Sequence, residues 1–121
     1  MVKKREVEKP KINLLDLIPV RNIKWEKKED GLIILFKPKF EHAFLKKYVL
    51  PRLKKPYYKI KLDHVGSFTW ELCDGSLRVK EVAKNLKDEF GEDVEPLYDR
   101  LALFLQSLEK THLIFYKRED K

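Results

Sequence analysis

From Ile23 to Lys28 apolar and polar residues alternate. Ile23 and Trp25 fall on one face and Lys24 and Glu26 on the other, the period of a half-buried strand. Leu32–Ile33–Ile34–Leu35–Phe36 is apolar on both faces and predicts a second strand. Between the two, Asp30–Gly31 supplies central residues that tolerate positive φ, so a hairpin is expected over 23–36. Tyr57–Tyr58–Lys59–Ile60–Lys61–Leu62 alternates again. It predicts a third strand with Tyr58, Ile60 and Leu62 inward.

The period then lengthens. Val65, Phe68, Thr69 and Leu72 recur at helical spacing, which predicts a first helix over 64–73. Asp63 can accept hydrogen bonds from its first amides, and Asp74–Gly75 ends it. Trp70, on this helix, is expected under the sheet against Phe68 or Leu72. A second helix over 79–90 carries Val79, Val82, Ala83, Leu86 and Phe90 on one stripe and stops at Gly91. A third, over 94–110, carries Val94, Leu97, Tyr98, Leu101, Phe104, Leu105 and Leu108. Asp93 and Glu95 suit the positive end of its dipole, and Pro96 fits a first turn. Leu113–Tyr116 reads as a last short strand and a candidate to cover the edge of the third.

Two segments carry weaker patterns. Ile12–Ile18 allows one helical turn before Pro19 ends it. Phe40, Phe44 and Tyr48 predict a short helix near 41–49, closed by Pro51 and Pro56, with its aromatics buried and its lysines solvated. The sum is an α+β fold, winged-helix-like, with a three-stranded antiparallel meander packed on a three-helix bundle. One domain is expected over 12–116, with a basic link at 37–56, a disordered basic tail at 1–11 and a charged C-terminal tail at 117–121.

Charge sharpens this picture. Residues 1–61 hold 18 Lys and Arg against 7 Asp and Glu, and residues 62–121 hold 9 against 13, so +11 faces −4 within a net +7. Such asymmetry points to a charged partner. No apolar run approaches the eighteen or so residues of a membrane span, and Asp16 and Pro19 interrupt the only segment that could imitate a signal peptide. A single cysteine, Cys73, excludes a disulfide within the chain and fits a reducing cytoplasm.

No constellation for catalysis emerges. His42, His64 and His112 are far apart in sequence, and Cys73 has no second cysteine to form a metal pair. Asp63 beside His64 is explained by helix capping. The four glycines are scattered rather than gathered into a phosphate loop. No catalytic residue, cofactor or metal is expected, and the chain reads as a recognition domain.

In this order the pieces resemble the PqqD family, the peptide-binding modules also called RiPP recognition elements. The matching residues are Ile23–Lys24–Trp25, Asp30–Gly31 and Tyr58–Lys59–Ile60–Lys61–Leu62–Asp63. Gly66–Ser67–Phe68 with Trp70 and Asp74–Gly75 follow, then Val79–Lys80–Glu81–Val82 and Phe104–Leu105–Gln106–Ser107–Leu108. The resemblance runs over roughly residues 13–116. It implies a non-catalytic adaptor that binds the leader of a precursor peptide and presents it to a maturation enzyme, often a radical S-adenosylmethionine enzyme. It also implies that the leader adds to the third strand, Tyr57–Leu62, and lies in a groove beside the helix from Val94 to Lys110. The link at 37–56 is longer than in compact members, and Arg78 stands where a capping Thr or Ser is usual. These departures fit a family protein that serves another modified peptide than the PQQ precursor, or another partner altogether.

On that frame the candidate peptide-binding residues are Tyr57, Lys59 and Lys61 on the strand with Arg100, Leu103 and Ser107 on the helix. Leu103 lies almost opposite Leu101 and Leu108 on a helical wheel, an apolar residue among polar ones. The lysines either blunt the strand edge or attract an acidic peptide. The rival is a winged-helix nucleic-acid-binding protein using the basic 37–61 surface, where aromatics interleave with lysines. Against a duplex reader, the third helix carries Arg100 and Lys110 against Glu95, Asp99 and Glu109. A third reading is a structural subunit that docks through the same link.

Overall fold

A computed structural model describes residues 13–39 and 42–118. The tail at 1–11, Phe40 and the last three residues lie outside it. Among the described residues nine strands and α-helices follow in order: β1 (Ile18–Arg21), β2 (Lys24–Lys27), β3 (Ile33–Pro38), α1 (Ala43–Tyr48), β4 (Tyr57–Lys61), α2 (His64–Leu72), α3 (Val79–Phe90), α4 (Leu97–Lys110) and β5 (Ile114–Lys117). The class is α+β. β2, β3 and β4 form a three-stranded antiparallel sheet in sequence order, and β1 and β5 form a separate antiparallel pair.

The hairpin forms where the alternation places it, but its turn differs from expectation. Lys28 and Leu32 close the ladder, Lys28 N–H donating to Leu32 O at 2.8 Å, so Glu29, Asp30 and Gly31 make a three-residue loop. Only Gly31, at φ 87°, takes positive φ. Asp30 instead accepts the Leu32 N–H on its carboxylate at 3.0 Å.

The run from Leu62 to Trp70 joins sheet to helices, and each residue type has a mechanical reason. Asp63 Oδ1 accepts the Gly66 N–H at 2.7 Å and caps α2. A Cβ on Gly66 would stand 3.1 Å from that same oxygen and 3.5 Å from the Phe104 ring. Where β4 ends, Ser67 Oγ accepts the N–H of the buried Ile33 at 2.9 Å, replacing a ladder partner. Trp70 is fully buried. Its ring contact is with Trp25, edge-on at 6.5 Å, whereas Phe68 packs on Phe90 at 5.4 Å. The indole therefore meets the sheet through Trp25 rather than through its helical neighbours.

α3 keeps the predicted bounds and buries Val79, Val82, Ala83 and Leu86. Arg78 N–H donates to Glu81 at 2.8 Å, so the carboxylate at the third helical position supplies the cap that residue 78 does not. α4 begins three residues later than predicted, because Gly91–Val94 forms its own 3-10 turn. Leu97, Leu101, Leu105 and Leu108 are buried, but Tyr98 is exposed, which corrects its place on the core stripe.

β1 was not foreseen. The predicted turn appears as a 3-10 turn over Leu14–Asp16, and Pro19 then sits inside a strand rather than ending a helix. β1 pairs with β5 on one side and meets the α2–α3 connection on the other, with Arg21 N–H donating to Cys73 O at 2.8 Å. β5 thus lies away from β4, and it extends to Lys117, one residue into the expected tail. α1 forms as predicted, but none of its residues is buried, and Phe44 and Tyr48 are 58% and 49% exposed. The expectation of a buried aromatic face on this helix is overturned. α1 stands off the core, and the first buried residue after it is Leu50.

Candidate functional site

β4 is an edge strand. Its inner side pairs with β3, and among the described residues no strand pairs with its outer side. Two bonds fix the phase of the ladder: Lys39 N–H to Pro56 O at 3.0 Å and Leu62 N–H to Ile33 O at 2.9 Å. Antiparallel pairs alternate between bonded and non-bonded residues. The even residues of β4 therefore bond inward to β3, and Tyr57, Lys59 and Lys61 direct their main-chain N–H and C=O groups outward.

Strand alternation adds a second consequence. Leu62 is buried and Ile60 partly buried on the core face, so Tyr57, Lys59 and Lys61 project from the opposite, open face. Phe36 joins them there. It meets Tyr57 edge-on at 6.3 Å. Lys24 stands 5.8 Å from the centroids of both rings and Lys59 6.0 Å from that of Phe36. Tyr58 follows Ile60 and Leu62 by alternation but is 55% exposed, so its inward assignment fails. Lys39, 5.3 Å from its ring centroid, is its neighbour there.

On the core side a groove of about 380 Å³ opens between the end of β4, the first turns of α2 and one face of α4. Its apolar lining includes Leu62, Val65, Leu97, Leu101 and Phe104, with the charged Lys61, Asp63 and Arg100 also in its wall. The charged three are exposed while Leu62, Leu97 and Leu101 are buried, so charge rims an apolar floor. Arg100 is held by a bond from its guanidinium to Asp93 O at 3.0 Å.

Of the candidate residues, Lys61 and Arg100 both line this groove. Tyr57 and Lys59 lie along the free edge and open face. Leu103, 67% exposed, and Ser107 do not line the groove. With Arg100 they follow i, i+3, i+7 spacing along the flank of α4 next to it. The floor residues were missed as site residues because their helical stripe reads as core, and only the neighbouring edge distinguishes them.

Elsewhere, Cys73 is buried, and desolvation pushes its thiol up to about 12. Asp74 is held below the usual carboxylate range, chiefly by the Ser76 hydroxyl at 2.6 Å. Among the described residues no cluster of three or more His, Cys, Asp or Glu could hold a metal, and no helix is long and apolar enough to cross a membrane.

Comparison with known proteins bears on the same region. Residues 48–114, 67 of the 121, match the family described as Coenzyme PQQ synthesis protein D (PqqD). The match takes in β4, all of α2, α3 and α4, and the groove between them, and leaves the β2–β3 hairpin outside. No curated protein and no solved structure is significantly similar to the chain.

Proposed function

We propose that this chain, which belongs to the PqqD family, is a non-catalytic adaptor that binds the leader of a precursor peptide by strand addition to β4. It then presents that peptide to a maturation enzyme, of which a radical S-adenosylmethionine enzyme is one kind. The reading takes the fold as winged-helix-like and the protein as cytoplasmic. One observation carries it: the outer edge of β4 is unpaired among the described residues and borders an apolar groove against α4. Edge addition draws affinity from main-chain bonds and selectivity from side-chain pockets. Both are available here, with the outward groups of Tyr57, Lys59 and Lys61 beside the floor of Leu62, Leu101 and Phe104.

The ladder phase gives a test. Proline lacks an N–H but is tolerated on an edge strand where that N–H faces solvent. Lys59→Pro removes an outward donor and should leave the fold intact while abolishing binding. Ile60→Pro removes an inward donor and should unfold the sheet. Leader segments of precursor peptides encoded beside this chain's gene would be titrated calorimetrically, with circular dichroism as the folding control. Full affinity in a folded Lys59→Pro protein would rule out strand addition at this edge.

A nucleic-acid reading has one observation in its favour: Phe44 and Tyr48 are exposed beside Lys46 and Lys47. Base stacking between lysines suits single strands. Fluorescence anisotropy with a labelled oligothymidylate at physiological salt separates the readings. Binding that survives that salt and is lost in Phe44→Ala would favour nucleic acid.

A further inference from the structure

We infer that the peptide this edge accepts alternates acidic and apolar residues, with the acidic ones on the open face over Lys59 and Lys61 and the apolar ones entering the groove. The inference rests on the strand-addition reading. Its geometry comes from the phase of β4. A residue directly opposite another across a ladder shares its face of the sheet. Peptide residues opposite Lys59 and Lys61 therefore stand on the open face. Those opposite Ile60 and Leu62 stand on the core face, where Leu97, Leu101 and Phe104 of α4 extend the apolar surface.

Charge then assigns the open-face positions. Neither Lys59 nor Lys61 has a carboxylate partner among the described residues. The acid nearest in the register, Glu26, pairs with Lys28 at 3.3 Å. Lys24 and Lys59 flank the Phe36 ring from the two neighbouring strands, their ammonium groups 5.8 and 6.0 Å from its centroid, so positive charge is placed on this face before any partner arrives. Opposite charges facing each other across strands are favourable and like charges are not. A basic residue at either position would meet a lysine. The same ring contacts count against nucleic acid on this face, since a stacking base would have to displace the ammonium groups from Phe36.

The chemistry on the two faces thus specifies a four-residue pattern. For an antiparallel addition, the peptide reads apolar–acidic–apolar–acidic from its N-terminal side, opposite Leu62, Lys61, Ile60 and Lys59 in turn. A one-residue slip would bring carboxylates into the groove and leucines over the lysines, so the pattern also sets the register.

Three synthetic peptides with identical Ser–Gly flanks test this on the full chain: Leu–Glu–Leu–Glu, Leu–Lys–Leu–Lys and the block Glu–Glu–Leu–Leu. Calorimetry should show the first binding at least tenfold more tightly than the other two. A doubly substituted Lys59→Glu, Lys61→Glu protein should reverse the preference between the first and second. Amide shifts in a ¹⁵N-labelled chain should map to residues 57–62. Equal affinity for the Glu and Lys peptides, with shifts still on β4, overturns the alternation while leaving strand addition standing. Failure of all three peptides to bind also overturns it, and the Lys59→Pro experiment with precursor leaders then decides the adaptor reading on its own. Shifts at Phe36 and Tyr57 on titration with oligothymidylate would overturn the assignment of the open face to acidic peptide.

Discussion

The guanidinium of Arg21 donates to the main-chain carbonyl of Glu71 at 2.8 Å and to that of Trp70 at 3.1 Å. A strand early in the chain thereby satisfies carbonyls at the end of α2, where the helix dipole favours a cation. The same group stands 5.0 Å from the Trp25 ring centroid. One side chain joins the β1–β5 pair, the three-stranded sheet and α2. Arg21→Met keeps much of the apolar stem and removes the charged donor, so it should cost about 1–3 kcal/mol, the scale of a charge-assisted bond in a partly buried place. Urea unfolding monitored by tryptophan fluorescence measures it. A midpoint equal to the parent's would mean that water replaces Arg21 at no cost.

Ser67 supplies a second junction. Its hydroxyl accepts the Ile33 N–H in a place closed to solvent. Ser67→Ala leaves that amide buried without a partner and should cost about 1–3 kcal/mol. Ser67→Cys offers only a weak acceptor and should recover little. Hydrogen exchange at the Ile33 amide is the specific readout, because the variant should expose it faster than its neighbours in β3.

These two residues also mark what the sequence makes legible. Periodicity with strong terminators identifies the β2–β3 hairpin and the C-terminal end of α3, since Gly31 and Gly91 take positive φ at those boundaries. β1 escapes because Ile18–Pro19–Val20–Arg21 is short, contains proline and pairs only with the far end of the chain. The end of α4 at Lys110 is legible from the loss of its apolar stripe, although His112, not glycine, takes the left-handed conformation of the turn at φ 64°. Tyr58 and Tyr98 mislead for another reason. An aromatic at the right spacing is apolar enough to be assigned inward, yet its hydroxyl leaves it equally at home where the helices no longer cover the sheet. Of the residues that line the groove, Lys61 and Arg100 are candidates on the strand and helix that the family resemblance singles out. The floor residues are not, because a core stripe and a groove floor have the same period until the edge beside them is known to be free.

Trp70 tests the core. It is fully buried against Trp25, and Trp70→Ala should cost about 3–5 kcal/mol, the range for a large aromatic lost from a core. Trp70→Phe should cost less, because it retains an edge toward Trp25. Thermal melting followed by circular dichroism separates the two. An unchanged midpoint in Trp70→Ala would contradict the packing.

Burial of Cys73 gives the fold an alkaline limit. The thiol ionises near 9.0 in an unfolded chain and at about 12 here. Between those values the native state holds a proton that the unfolded state has released. Its contribution is whole below pH 9 and falls as pH rises toward 12. Tyr116, pushed up from 10.0 to about 12 by desolvation first, acts in the same direction. Urea midpoints at pH 8 and pH 11 should therefore fall more steeply for the parent than for Cys73→Ala, whatever the variant costs at pH 8. The thiol should also resist alkylation in the native protein at pH 8 and react once urea unfolds it.

The flank of α4 is where fold and function can be separated most cleanly. Leu103 is 67% exposed and lies outside the groove, so Leu103→Asp should change stability by no more than about 0.5 kcal/mol. If the peptide lies between the β4 edge and α4, its core-face side chains run beside the stripe of Arg100, Leu103 and Ser107. A carboxylate at 103 would then stand beside the apolar side chains of the peptide's core face and remove an apolar contact, and affinity should fall at least tenfold. Arg100→Glu reverses charge at the groove itself and should weaken binding at least as much, with a slower association rate that depends less on salt. Ser107, whose hydroxyl bonds back to Phe104 O at 3.0 Å, should tolerate alanine with little loss. Calorimetry and stopped-flow titration with the same leader peptide resolve the three. Parent-like binding by Leu103→Asp together with a deficit in Arg100→Glu would confine the peptide to the groove. Loss of folding in Leu103→Asp would return Leu103 to the core and contradict its exposure.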